Sequence, residues 1–167
     1  GISSGISPTT LFDTKRPVAG GMIYGVWTDQ ANTNGYDFQY PINTLGQIKP
    51  GSVVPDRLIT LASLGVSGSV GTCAYVPQFS SGAGLLKVLS YSSGAWYSFE
   101  LSPDGLGTFD LIGAVVGPTL GGGPEGIAYI PRTSPLFGTQ SILVTEYGTA
   151  SVVAYQVDAH GDPIVST

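Results

Sequence analysis

The sequence predicts an all-β protein, assembled from a four-stranded unit that recurs about three times along the chain. Three observations carry this. Charged residues make up only 10% of the 167 positions, against about 25% in an average soluble protein, so the Lys, Glu and Arg that clothe helices are scarce. Tyr, Thr, Ser, Val and Ile fill the runs between 25 glycines and 12 prolines, a pattern that suits short strands joined by tight turns. The third observation is a likeness of the chain to itself at a nearly fixed period.

In the first copy, TTLFDT within residues 1–18 is the expected first strand, and MIYGVW at 22–27 the second. TDQANTNG forms a long turn, YDFQYPINTLG at 36–46 the third strand, and RLITLASLG at 57–65 the fourth. The second copy runs through TCAYVP at 72–77, LLKVLSY at 85–91, WYSFELSPDGLG at 96–107 and FDLIGAVVG at 109–117. The third repeats this order with GIAYIP at 126–131, SILVTEY at 141–147 and VVAYQVDAHGDP at 152–163, and a fourth strand is due at Ile164-Val165.

The copies match residue by residue. Ala74-Tyr75-Val76-Pro77 returns 54 residues later as Ala128-Tyr129-Ile130-Pro131, while Phe99 answers Tyr155 and Gly105 answers Gly161 at a spacing of 56. The third strand of the middle copy alternates, with Trp96, Ser98 and Glu100 on one face and Tyr97, Phe99 and Leu101 on the other. SPDG at 102–105 and DAHG at 158–161 read as hairpin turns in which glycine takes positive φ. Asp158 and Asp162 offer a weak calcium-loop alternative there, without the oxygen series and closing Glu of an EF-hand.

Four-stranded units stacked by their apolar faces are expected to form β-propeller-type blades. The chain thus reads as one all-β repeat domain over 1–167, with approximate blades at 1–65, 66–117 and 118–167. Propellers close with about four to eight blades. Three therefore imply an incomplete ring, part of a larger propeller, or chains that associate to complete one, as a six-bladed dimer would. A three-copy β-prism or a two-sheet sandwich is the alternative.

Several function classes are set aside by composition. The six basic residues (Lys15, Arg16, Lys49, Arg57, Lys87, Arg132) are dispersed and the net charge is −5, so the clustered cations that bind nucleic acid are missing. No apolar run approaches the roughly 20 residues of a membrane span. Cys73 is the single cysteine and reads as a buried strand residue, and no intrachain disulfide can form. With one histidine, His160, and one cysteine, a zinc site of His and Cys ligands cannot be built within one chain. There is no HExxH or P-loop pattern, and a Ser–His–Asp triad would have to use His160 in a turn. The Gly/Ser/Thr-rich acidic composition points to a secreted, extracellular or cell-surface protein.

The repeated aromatics are expected to pack between blades: Tyr75 with Tyr129 in first strands, and Trp27, Tyr91 and Tyr147 at the ends of second strands. The alternative is a ligand surface for a glycan, since Trp27 beside Asp29, Asn32 and Asn34 in the long turn suits a flat sugar ring.

GPEGIAYIP and SILVTEYGTASVVAYQVDAHGDPI, within residues 70–167, resemble the blades of secreted bacterial β-propeller repeat proteins, distantly similar to NHL-repeat and gluconolactonase-like propellers. The resemblance implies a divalent cation such as Ca²⁺ held by acids at inner strand ends, where it polarises a lactone carbonyl. Glu125, within GPEG, and Glu146 are the residues that would carry it. The pattern departs from that family at most other ligand positions. The leading expectation is accordingly a non-catalytic secreted or surface module for binding, adhesion or assembly, with no cofactor and with a protein partner or its own copy as partner. A metal-dependent lactonase-like hydrolase and a carbohydrate-binding module are the alternatives.

Overall fold

The computed structural model describes residues 9–16, 22–28, 43–49, 56–68 and 70–165. Eleven strands form three antiparallel sheets, and no α-helix occurs among the described residues. Sheet 1 contains β1 (Thr9–Arg16), β2 (Met22–Thr28), β3 (Asn43–Ile48) and β4 (Arg57–Thr60). Sheet 2 contains β5 (Val70–Tyr75), β6 (Leu86–Ser90), β7 (Ala95–Pro103) and β8 (Phe109–Thr119). Sheet 3 contains β9 (Pro124–Ile130), β10 (Ser141–Glu146) and β11 (Ser151–Gln156). Each is a meander in which every strand pairs with the next in sequence, the arrangement that short loops favour.

Sheets 2 and 3 share their pairing register. Tyr75 pairs with Leu86 and Leu86 with Phe99, as Tyr129 pairs with Ile142 and Ile142 with Tyr155. After β11 the chain turns back, and the Ile164 N–H donates to the Gln156 carbonyl at 2.8 Å beside a bridge from Val157 to Pro163. The chain thus folds back beside β11 at the place where the sequence expects a fourth strand, although Ile164 and Val165 are not themselves in one.

Two details differ from the sequence expectation. The third strand of sheet 1 is seen over Asn43–Ile48, two residues past the expected end at Gly46, and residues 36–42 of the expected strand lie outside the described residues. The apolar run RLITLASLG is only half strand. β4 ends at Thr60, and Leu61–Leu64 forms a 3-10 turn closed by Gly65 in the left-handed region (φ 83°), with its N–H on the Ala62 carbonyl. Coiling carries Leu61 to complete burial in the core.

The core has two parts. Leu45 of sheet 1 and Leu61 of the 3-10 turn meet Tyr75, Leu86, Val88, Tyr97 and Phe99 of sheet 2 in the larger cluster, which also holds the buried Cys73. Leu89, Trp96 and Leu120 meet Ile142 and Val144 of sheet 3 in the smaller. Sheet 2 is therefore covered on both faces, and the alternation read in β7 explains how: Tyr97 and Phe99 point to sheet 1 and Trp96 to sheet 3. The first strands lie side by side, β5 next to both β1 and β9. At Gly71 an added Cβ would lie 2.2 Å from the Pro124 carbonyl oxygen, so β5 approaches β9 as closely as only glycine permits.

Candidate functional site

A hairpin turn reaches back from each later sheet to the sheet before it. In sheet 2 the turn is DGLGT, where Asp104 Oδ1 accepts the N–H groups of Leu106 (2.8 Å) and Thr108 (3.0 Å). In sheet 3 it is DAHGD, where Asp158 Oδ1 accepts those of His160 (2.8 Å) and Asp162 (2.9 Å). In both, the first residue's N–H also bonds the carbonyl four residues on, and the fourth residue is a glycine at positive φ, Gly107 or Gly161. The structural match is therefore Gly107 with Gly161, a correction to the pairing of Gly105 with Gly161. Two extra residues between Phe99 and its turn shift the spacing from 56 to 54.

The sheet 3 turn ends in a buried polar cluster that the sequence reading did not single out. Asp162 Oδ1 forms an ion pair with Lys87 Nζ of β6 and accepts Trp96 Nε1–H at 2.7 Å and the Ser98 hydroxyl at 3.2 Å. Lys87 also donates to Ser98 Oγ at 2.6 Å and has no exposed surface. Burial pushes the Lys87 ammonium below the usual lysine range, against the pull of Asp162. The signal was present as a single lysine inside the apolar run LLKVLSY, because a lysine in a buried strand needs a carboxylate. In DAHGD, Asp162 Oδ1 is thus engaged by Lys87 and Asp158 Oδ1 by its own turn.

Tyr129 reaches the same corner, donating to the Gly161 carbonyl at 2.7 Å, and burial with the nearby Asp162 and Asp158 pushes its phenol up. Tyr91 and Tyr147, matched in the sequence, meet across the sheet 2–sheet 3 junction with ring centroids 6.3 Å apart and planes tilted by 60°.

Glu125 and Glu146 sit at one end of sheet 3. Glu146 pairs in register with Pro124 and Thr145 with Gly126, leaving Glu125 as the extra residue of a β-bulge. Glu125 is exposed, whereas Glu146 is 8% exposed. The Glu146 carboxylate accepts the hydroxyls of Tyr155 (3.1 Å), Thr149 (3.1 Å) and Ser151 (3.5 Å). Burial, with Glu146 adding to it, raises the Tyr155 phenol above its usual range. The two acids are neighbours along the ladder but occupy different environments. Among the described residues no three His, Cys, Asp or Glu side chains cluster as metal ligands. Trp27 lies in β2, with its side chain outside the described part of the structure, and Asp29, Asn32 and Asn34 fall outside the described residues.

The last feature is the face of sheet 3 turned away from sheet 2. Register places Leu143 and Ala154 where sheet 2 has Lys87 and Ser98, and Thr145 and Val152 where it has Leu89 and Trp96. The four residues of sheet 2 are buried, but Val152 is 62% exposed and Ala154 and Thr145 are also exposed. This surface carries no charge at those positions, an unusual property for a water-facing sheet. No helix among the described residues is long and apolar enough to cross a membrane. No family model, curated protein or solved structure matches the chain, so the functional reading rests on these residues and their geometry.

Proposed function

We propose that this chain is a non-catalytic β-propeller module, secreted or at a cell surface, that works by binding, adhesion or assembly. The observation that carries the reading is the outward face of sheet 3. Its positions match those that sheet 2 buries beneath its neighbour, and all four are uncharged. Support for the propeller geometry comes from three consecutive meander sheets with their first strands side by side. The likeness to secreted bacterial NHL-type propeller repeats belongs to the same reading.

Covering the face would remove apolar surface from water at about 25 cal/mol per Å². The partner is another blade-like sheet, either of a second copy or of a different protein. Light scattering tests this: an assembly that Val152→Lys weakens is the expected result. A well-folded 17.2 kDa monomer counts against the propeller itself.

One observation favours a second reading, the metal-dependent hydrolase. Glu146 is buried and forms no ion pair among the described residues, with Glu125 one bulge away. Calcium titration of the wild type and of Glu146→Gln, with a lactone hydrolysis assay, decides it. No calcium binding removes the reading.

A further inference from the structure

We propose that Lys87 and Asp162 condense to an intrachain isopeptide bond, a covalent staple between sheet 2 and the turn that follows β11. The Lys87 amine and the Asp162 carboxylate are in direct contact, and the lysine has no exposed surface. A hydroxyl bridges the two: Ser98 Oγ accepts from Lys87 Nζ at 2.6 Å and donates to Asp162 Oδ1 at 3.2 Å. Trp96 Nε1–H, from a fully buried indole, donates to the same oxygen at 2.7 Å. The acid is also fixed from its own side. Its N–H donates to Asp158 Oδ1 and its carbonyl accepts the Asp158 N–H, both at 2.9 Å, while the Tyr129 hydroxyl holds the preceding Gly161 carbonyl at 2.7 Å.

An amine and a carboxylic acid condense slowly in water because both are ionised, they meet rarely, and water reverses the reaction. All three obstacles are lowered at this junction. Burial pushes the Lys87 ammonium below the usual lysine range, since loss of hydration favours the neutral form. A fixed contact replaces a chance encounter, and well-oriented pairs reach effective molarities of roughly 10⁵–10⁸ M. Packing between two sheets keeps out the water that would hydrolyse the product.

The atoms balance with no further reactant. A proton passes from the ammonium to Asp162 Oδ1, leaving an amine and a carboxylic acid. The Nζ lone pair then attacks Cγ and forms the C–N bond. A second Nζ proton travels through the Ser98 hydroxyl to Oδ1, the C–Oδ1 bond breaks, and Oδ1 leaves as water. Oδ2 stays as the amide oxygen, and nothing is oxidised or reduced.

A bond here suits this chain. Its single cysteine excludes an intrachain disulfide, and the link joins residues 75 positions apart, a long closed loop that restricts the unfolded state. Lys49 and Asp56 lack the same conditions: they are 3.6 Å apart, but the lysine side chain is 39% exposed and water reaches it. The ion pair is the state before condensation. Asp162→Ala and Lys87→Met both abolish the bond, so the difference between them still reflects the charge left buried.

This modification goes beyond the assembly through sheet 3 and does not depend on it. Intact-mass spectrometry of the denatured full chain, after the folded protein has been incubated at neutral pH, tests it. The expected mass is one water below that of the sequence, and Lys87→Arg and Asp162→Ala restore the full value. Trypsin locates the link, because it does not cleave after an acylated lysine: residues 58–132 survive in one piece, joined to 133–167. The wild-type chain decides the matter by itself should a variant fail to fold. A wild type of full mass, or a deficit of one water with Lys87 still cleaved, would overturn the proposal.

Discussion

The two junctions between sheets solve the same problem with opposite electrostatics. At both, an Asp-initiated turn from the later sheet reaches an opposing cation in the earlier one. Between sheets 1 and 2 the contact is at the rim: Arg57 bridges Asp104 (2.8 Å) and Asp110, and its side chain is 29% exposed. The buried polar residue at this junction is neutral. Gln47 forms a two-way amide bond with Phe109, donating to its carbonyl at 2.7 Å and accepting its N–H at 2.8 Å. Between sheets 2 and 3 the charge itself is buried, in Lys87 and Asp162. An amide in the interior can be satisfied by one backbone residue, whereas an ammonium there depends on its carboxylate. The first junction should therefore degrade gradually under mutation, and the second abruptly.

Removing the acid at the second junction gives the largest expected effect. Asp162→Ala leaves the Lys87 ammonium buried without a counter-charge and unpairs the Trp96 indole N–H, a class of change that costs about 3–5 kcal/mol. Lys87→Met should cost clearly less, because Asp162 keeps Trp96 and Ser98 as donors and the methionine packs between the sheets. Urea denaturation of both variants checks the order. Equal losses would mean that the pair is not buried as a unit.

Gly71→Ala probes the same junction at its inner side. The new methyl meets main chain, the Pro124 carbonyl at 2.2 Å, rather than a side chain that could swing away. Strands β5 and β9 must separate, at an expected cost of about 1–3 kcal/mol, as for other overpacked sites. Gly84→Ala, where an added Cβ meets nothing, is not a clean control because its φ of +88° strains any side chain. Gly121→Ala, open and without positive φ, is the better one, and a thermal melt close to wild type is expected for it.

How much of this was legible beforehand follows from how local each signal is. The meander order, the alternation of β7 and the register shared by Leu86 with Ile142 and Phe99 with Tyr155 could be read because strand patterning depends on neighbours one or two residues apart. The 3-10 turn at Leu61–Leu64 was missed because a segment of four residues, Leu-Ala-Ser-Leu, has no preferred period until Gly65 and the core decide it. The Lys87–Asp162 pair was missed for a different reason. Its members are 75 positions apart, and no pattern within either copy relates them. The match of Gly107 with Gly161 was hidden by the two residues that lengthen β7, and it emerged only from the hydrogen bonds. The outward face of sheet 3 was readable as an apolar pattern, but its meaning required knowing which face sheet 2 covers.

Acid provides the next test of the rim junction. Asp104 accepts the Thr108 hydroxyl and the N–H groups of Leu106 and Thr108 and lies beside Arg57, which together hold its pKa down at about 2. Its folded value is below its unfolded one, so its contribution is present above about pH 4 and is lost as pH falls toward 2. Asp104→Asn should flatten the pH dependence of stability in that window and leave it unchanged from pH 5 to 8. A variant whose acid transition matches the wild type would show that this carboxylate is not the one being titrated.

The smallest effect is expected at Arg57, and salt makes it distinctive. Arg57 faces Asp104 and Asp110 at the edge of the junction, and the Asp110 side chain is 53% exposed. Such pairs contribute roughly 0–1 kcal/mol because water and ions screen them. Arg57→Met should therefore lower stability by less than Asp162→Ala by several-fold, and raising the salt concentration should shrink even that difference. The Lys87–Asp162 pair, closed off from solvent between two sheets, should respond little to the same salt. A salt-insensitive loss at Arg57, or a salt-sensitive one at Asp162, would reverse the assignment of rim and buried charge on which the contrast between the junctions depends.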